Sequence, residues 1–231
     1  MTRPVVFIAA DHRECGPWVG RWDALTKPEL PVHWVRAGKW QGRDVIAIAN
    51  GAGQERARAA VGVVEVLQPS AFVSIGTCGA LDSSLQIGDV FVPTEIRGGG
   101  RKWIPAQLVG PGSKHGPLIS VARIAATASE KSQLRTTGAL VVEMESAGVA
   151  DASERLGVPF YCVRAVSDLA GQDFANDFNK LLMSDGRFNI PALLLNALAK
   201  PLSRIPELYS LAKRTALASE NLGEFLALCS F

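Results

Sequence analysis

The stretch ALVVEMESAGVADASERLGVPFYCVRAVSD, residues 139–168, decides the fold. An apolar run, ALVV (139–142), leads into a helical pattern over 143–157. Gly157 and Pro159 stop that helix. A second apolar run, PFYCVRAV (159–166), follows. Runs this short and continuous suit strands buried on both faces. The same stretch places Glu143 and Glu145 after one strand and Ser167-Asp168 after the next. Three carboxylates at strand ends call for an explanation.

Working outward, similar runs recur at 4–10, 31–35, 44–49, 71–76, 89–96 and 118–122. Helical patterns lie between them at 54–67 and from about 174 onward. Strands alternating with helices predict a three-layer α/β/α sandwich around a central mixed, mostly parallel sheet. Residues 97–117, rich in Gly and Pro, read as a loop. No linker or repeat divides the chain, so a single domain over 1–231 is expected, with an apolar helical tail from about 190. In that tail Leu202, Ile205, Leu208, Tyr209 and Ala212 recur at helical spacing among Arg204, Lys213 and Arg214. Packing on the sheet or on a second subunit explains them; a surface that meets lipid or an apolar substrate is the alternative.

The net charge of +2 gives no basic field for nucleic acid. Cys15, Cys78, Cys162 and Cys229 form no CxxC pair. Cys78 and Cys162 sit in apolar runs and read as buried thiols of a cytoplasmic protein. The first apolar run is too short for a signal peptide, and no run is long enough for a membrane span. HExxH, GxSxG and Walker patterns do not occur, and metal-ligand spacing is missing, so neither metal nor organic cofactor is expected. Trp18 and Trp22, one helical turn apart, read as packing residues.

In open α/β sheets ligands bind at the carboxyl ends of strands. Here those ends carry Asp11-His12-Arg13-Glu14, Asn50-Gly51-Ala52-Gly53, Gly76-Thr77-Cys78-Gly79 and Ser167-Asp168. If they converge, several carboxylates share one cleft. Cleavage of an N-glycosidic bond to a purine uses such a set. The leaving base needs a proton from a carboxylic acid, and the ribose develops positive charge that a carboxylate stabilises. The plainer readings stand beside this one: Glu143 and Glu145 as partners of a helix dipole, and Asp168 as a cap. NGAGQERA (50–57) has Arg56 where a dinucleotide fingerprint needs glycine, so it reads only as a tight turn able to accept an anion. Gly51, Gly53, Arg56 and Arg13 are the candidates for holding phosphate; solvated helix arginines are the alternative.

These motifs resemble the nucleoside phosphorylase superfamily, and within it the 5'-methylthioadenosine/S-adenosylhomocysteine nucleosidases. The resemblance rests on FIAADHRE (7–14), NGAGQERA, VSIGTCGALDSSLQIGDVFVPTE (73–95), VVEMESAGVA (141–150) and GVPFYCVRAVSDLA (157–170). It implies Asp168 as the acid at purine N7, supported by Ser167. Glu145 would bind the ribose with Met144 beneath the sugar, and Glu143 would share that turn. Glu14 would activate water, while Thr77, Cys78 and Gly79 line the sugar or nucleophile pocket. It also implies a homodimer or larger assembly. Ser74 stands where phosphorylase relatives carry arginine, which favours water. Ser120–Ile124 lacks the aromatic residue that relatives stack on the base, so a nucleoside-binding protein without catalysis is the alternative. GAGQERA (51–57) and residues 185–214 resemble hopanoid-associated phosphorylases, tied to removal of adenine from adenosylhopane; that branch favours phosphate as co-substrate.

Overall fold

The computed structural model describes residues 3–108 and 112–229; residues 109–111 of the expected loop, and the chain ends, lie outside the described residues. The first half contains β1 (Val5–Ala9), α1 (His12–Val19), β2 (Asp23–Thr26), β3 (Trp34–Trp40), β4 (Arg43–Ala49), α2 (Gln54–Val64), β5 (Ala71–Ala80) and β6 (Val90–Gly98). The second half contains β7 (Arg101–Trp103), β8 (Lys114–Ser120), α3 (Ala128–Arg135), β9 (Val141–Glu143), α4 (Ser146–Leu156), β10 (Phe160–Asp168), α5 (Phe178–Leu181), α6 (Ile190–Ala199) and α7 (Pro201–Ala227).

The continuous apolar strands are buried on both faces because helices cover both. In β1, Val6 and Ile8 face one core and Val5, Phe7 and Ala9 the other. The first core is closed by Ala57, Ala60 and Val61 of α2 with Val149 and Ala150 of α4. The second is closed by Cys15, Trp18 and Val19 of α1 with Leu222, Phe225 and Leu226 of α7. That is the expected three-layer arrangement. Trp18 packs edge-on against Trp22 and Trp40, with centroids 5.9 and 4.5 Å away.

Parallel pairing runs through the centre in the order β4-β1-β5-β10. Parallel pairing also joins β6 to β8 and β8 to β9, and the remaining neighbours are antiparallel, giving the expected mixed sheet. Two tight hairpins account for part of this. Gln41-Gly42 and Gly99-Gly100 all have positive φ, the requirement of two-residue hairpin turns. The second hairpin builds β7 inside the expected 97–117 loop. The first extends β3 to Trp40, so the strand expected at 31–35 lies at 34–40. β2, α1 and α3 were not anticipated.

β5 is the pivot. It pairs with β1 through Ser74, with β10 from Phe72 to Gly79, and with β9 at Gly79 and Ala80. From β10 the pairing continues through β6, β8 and β9 back to β5, closing a ring of strands. β1 leaves β5 after Ser74 and β9 joins it at Gly79, so the residues that follow β1, β5 and β10 lie at the same end of the sheet. Among the described residues no helix is long and apolar enough to cross a membrane.

Candidate active site

Glu14 reaches the end of β5 from the start of α1. Asp11 caps that helix by accepting the Arg13 N–H at 2.9 Å. Glu14 Oε2 returns to accept the Ala10 and Asp11 N–H groups at 3.1 and 3.2 Å. Its Oε1 accepts the N–H and hydroxyl of Thr77 at 2.8 and 3.0 Å. Gly76 makes this approach possible: φ is +147°, and a Cβ there would meet Glu14 Oε1 at 2.9 Å. Burial pushes the Glu14 carboxyl up, and these donors only partly offset it.

β9 and α4 supply the next two carboxylates. Glu143 ends β9, and its oxygens are filled by donors. It accepts the Glu145 and Ser146 N–H groups at 3.0 and 2.8 Å, the Ser146 hydroxyl at 2.7 Å, and Nε and Nη2 of Arg164 at 3.2 and 2.5 Å. Burial raises its carboxyl; the Arg164 charge and these bonds outweigh burial and hold it below the usual range. Glu143 therefore frames the site and caps α4, in the same turn as Glu145. Glu145, at the N-cap of α4, accepts the Gly53 N–H at 2.9 Å and the Met144 N–H at 3.3 Å. Burial first, then the charge of Glu143, push its carboxyl upward. Met144 is buried in the same turn.

Asp168 ends β10, opposite Gly79 across a bulge. A Cβ on Gly79 would lie 2.8 Å from Asp168 Oδ2, so the glycine lets the carboxyl lie against β5. The Ser167 hydroxyl lies 3.0 Å from Asp168 Oδ1 and 3.3 Å from the Cys78 carbonyl, a donor to both. The Cys78 thiol itself points into the core, with its pKa pushed well up by burial.

The structure thus brings Glu14, Thr77, Gly79, Glu143, Met144, Glu145, Ser167 and Asp168 to the end of β5. Sequence reasoning missed two buried cations there. Arg164 is fully buried and donates to Ser74 Oγ at 2.8 Å, so an arginine does reach that position, from β10 instead of β5. Its signal was a lone arginine inside an apolar strand. Lys131, on polar α3, donates to Asp168 Oδ2 at 2.5 Å; nothing in the pattern of α3 marks it.

The phosphate candidates sit differently. The Gly51 N–H donates to the Ala10 carbonyl at 2.9 Å, that of Ala52 to the Gly186 carbonyl at 2.8 Å, and that of Gly53 to Glu145. Arg56 donates to the Asn50 carbonyl at 3.0 Å and meets His33. Arg13 pairs with Asp11, away from the carboxylate cluster. Every donor of the NGAG turn already has a protein acceptor. A cavity of about 550 Å3 lies beside the cluster, lined by Gln54, Arg97, Arg101, Ser120, Val121 and Ala122 among others. Gln54 donates to the Ser120 carbonyl at 3.2 Å. The carboxylates themselves do not line this cavity. Among the described residues no group of three His, Cys, Asp or Glu side chains is arranged to hold a metal ion.

Comparison with known proteins finds relatives of both sequence and fold. A 5'-methylthioadenosine/S-adenosylhomocysteine nucleosidase of Halalkalibacterium halodurans is 29% identical over 178 residues, covering 63% of this chain and 76% of the relative. One from Colwellia psychrerythraea is 28% identical over 203 residues, covering 71% and 82%. Among solved structures, the nucleosidase of that name from S. pneumoniae, with a transition-state inhibitor, superimposes with a TM-score of 0.74. It shares 16% identity over 97% of this chain and 96% of its own, a likeness of fold. The description of the phosphorylase superfamily matches residues 5–105 and 105–195, and the chain belongs to that superfamily.

Proposed function

We propose that this protein hydrolyses the N-glycosidic bond of a 5'-substituted adenosine, with 5'-methylthioadenosine and S-adenosylhomocysteine as first candidates. The observation that carries the reading is the convergence of Glu14, Glu145 and Asp168 on the end of β5, beside a turn whose donors are already engaged. The names of the relatives support the substrate class.

In this reading Asp168, supported by Ser167, protonates N7 as the C–N bond breaks and its electron pair passes to the base. Glu145 accepts from the ribose hydroxyls, and its charge is strengthened by the cation that develops on the sugar. Glu14 takes the proton of the attacking water. Among the described residues the Thr77 hydroxyl is the one side-chain donor on Glu14, so water can take its place there without disturbing the backbone bonds. Phosphate as nucleophile would need free N–H groups or unpaired arginines. Gly51, Ala52, Gly53, Arg56 and Arg13 are engaged elsewhere, which supports water and weakens the hopanoid-associated, phosphate-using alternative.

The surface fits a partner. Leu194, Leu195, Leu198 and Leu202 of α6 and α7 are all more than half exposed. We infer that a second copy covers this row; a lipid surface is the competing occupant. Four buried, unpaired thiols suit the reducing cytoplasm.

The test is adenine release from adenosine, 5'-methylthioadenosine, S-adenosylhomocysteine and inosine, with and without phosphate. Equal rates in phosphate-free buffer are expected. Strict dependence on phosphate, with a ribose 1-phosphate product, would overturn water as nucleophile. Binding without release would make the protein a nucleoside sensor.

A further inference from the structure

Helix α3 is polar, ASEKSQLR, and buries one residue, Lys131, at 1% exposure. A lysine is almost never buried without partners. Lys131 Nζ donates to Asp168 Oδ2 at 2.5 Å, to the Leu169 carbonyl at 2.8 Å and to the Gln172 carbonyl at 3.5 Å. The Phe174 ring lies 5.2 Å from the ammonium. All its donors are used, and the shortest contact is to the residue assigned as the acid.

Lys131 is not what holds α3 in place. Thr127 and Glu130 form a capping box at its start. Asp173 Oδ1 accepts the Ala128 N–H at 2.6 Å, and the Phe174 N–H donates to the Ala126 carbonyl at 2.9 Å. These bonds join α3 to the segment after β10 without the lysine. What Lys131 alone adds is a fixed position and a positive charge for Asp168. With Oδ2 held by Lys131 and Oδ1 by Ser167, the carboxyl plane cannot turn.

We propose that Lys131 is a positioning residue for glycosidic cleavage, acting entirely through Asp168. The inference rests on the purine-cleaving reading of the site. When Asp168 gives its proton to N7, the electron pair of the broken bond leaves with the base and Asp168 becomes a carboxylate. Lys131 then faces a new negative charge at hydrogen-bond distance in a buried site, where such a pair interacts strongly. The Lys131–Asp168 contact in the structure has the geometry that this product-side state requires, and the next proton on Asp168 comes from solvent.

The experiment measures kcat and KM for 5'-methylthioadenosine with the full-length wild type, Lys131→Met, Lys131→Gln, Asp168→Asn and the double variant Lys131→Met/Asp168→Asn. Lys131→Met is expected to lower kcat about 100-fold and leave KM within about threefold. Lys131→Gln keeps one donor on Oδ2 and should fall between. In the Asp168→Asn background, Lys131→Met should change kcat by less than about threefold, because the residue through which it acts is gone. Lys131→Met leaves Asp168 unpaired and can cost folding; the double variant removes both charges, and Lys131→Gln keeps the hydrogen bond, so the cycle still reads. Losses that multiply in the double variant, or a Lys131→Met loss confined to KM, would overturn this inference alone, as would full activity in that variant. A wild type that releases no base from any purine nucleoside would overturn the reading of the site and this inference with it.

Discussion

Glu143 and Glu145 stand two residues apart in one turn, yet the protein treats them oppositely. Glu143 has an arginine and three further donor contacts around it, and its carboxyl is held below the ordinary range. Glu145 has two backbone N–H groups, and burial with its neighbour's charge pushes its carboxyl upward. The first is a charge already compensated by the frame. The second is a desolvated acceptor that gains most when a ligand supplies donors and positive charge. The lesson extends to the rest of the cluster: Arg164 serves the frame, while Glu14, Glu145 and Asp168 carry the proposed chemistry.

Removing the frame's cation breaks the comparison most severely. Arg164→Met leaves Glu143 ionised, fully buried and without its counter-charge, and strands Ser74 Oγ. Loss of one partner of a buried pair costs about 3–5 kcal/mol. Urea unfolding should show that loss. A variant as stable as wild type would mean that Glu143 is not held as an anion by Arg164.

On the chemical side, Asp168→Asn is expected to lower kcat about 10²- to 10⁴-fold, the usual range for a positioned general acid. The amide keeps the shape of the carboxyl and an acceptor for Lys131, but the buried ammonium loses its counter-charge, so a loss of stability accompanies the loss of rate, and the double variant Lys131→Met/Asp168→Asn separates the two. Near-normal adenine release from this variant would remove Asp168 from the acid role.

The comparison also explains what the sequence made legible. Continuous apolar runs marked the strands buried under helices on both sides, and strand ends marked the carboxylates. Elements that owe their place to tertiary contacts left no such trace. α1 is a short helix built on a capping box that reads equally as a polar strand end. α3 has one buried residue, a lysine, and so no apolar stripe. β7 is made by two glycines at positive φ inside a stretch whose composition says loop. Periodicity likewise locates Glu143 on a turn without saying which donors reach it from Arg164, a strand away.

Gly79→Ala tests how closely the acid must lie against β5. The added methyl would sit 2.8 Å from Asp168 Oδ2 and 3.2 Å from Val142 Cγ1, so the carboxyl or β9 must shift. A displacement of an ångström in a positioned group costs up to about 100-fold in rate. A fall in kcat of about 10- to 100-fold is expected with only a small drop in melting temperature. An unchanged kcat would mean that Asp168 tolerates movement and that its contact with β5 is incidental.

The smallest effect is the most specific to the pair. Glu145 holds its proton more tightly folded than unfolded, so between the two pKa values the native state binds more protons. Stability then falls as pH rises through that interval, the sign required when the unfolded state binds fewer protons. Glu143, with its carboxyl lowered, contributes the opposite slope, lost as pH falls below the ordinary carboxylate range. Glu145→Gln deletes only the first contribution. Unfolding free energies measured from pH 5 to 9 should therefore decline less steeply in Glu145→Gln than in wild type, with the two curves meeting at the acid end. The variant should also bind nucleoside more weakly, because an amide cannot match the developing positive charge of the sugar. Parallel pH curves would show that Glu145 is ionised in the folded protein and that the two glutamates differ in partners without differing in charge.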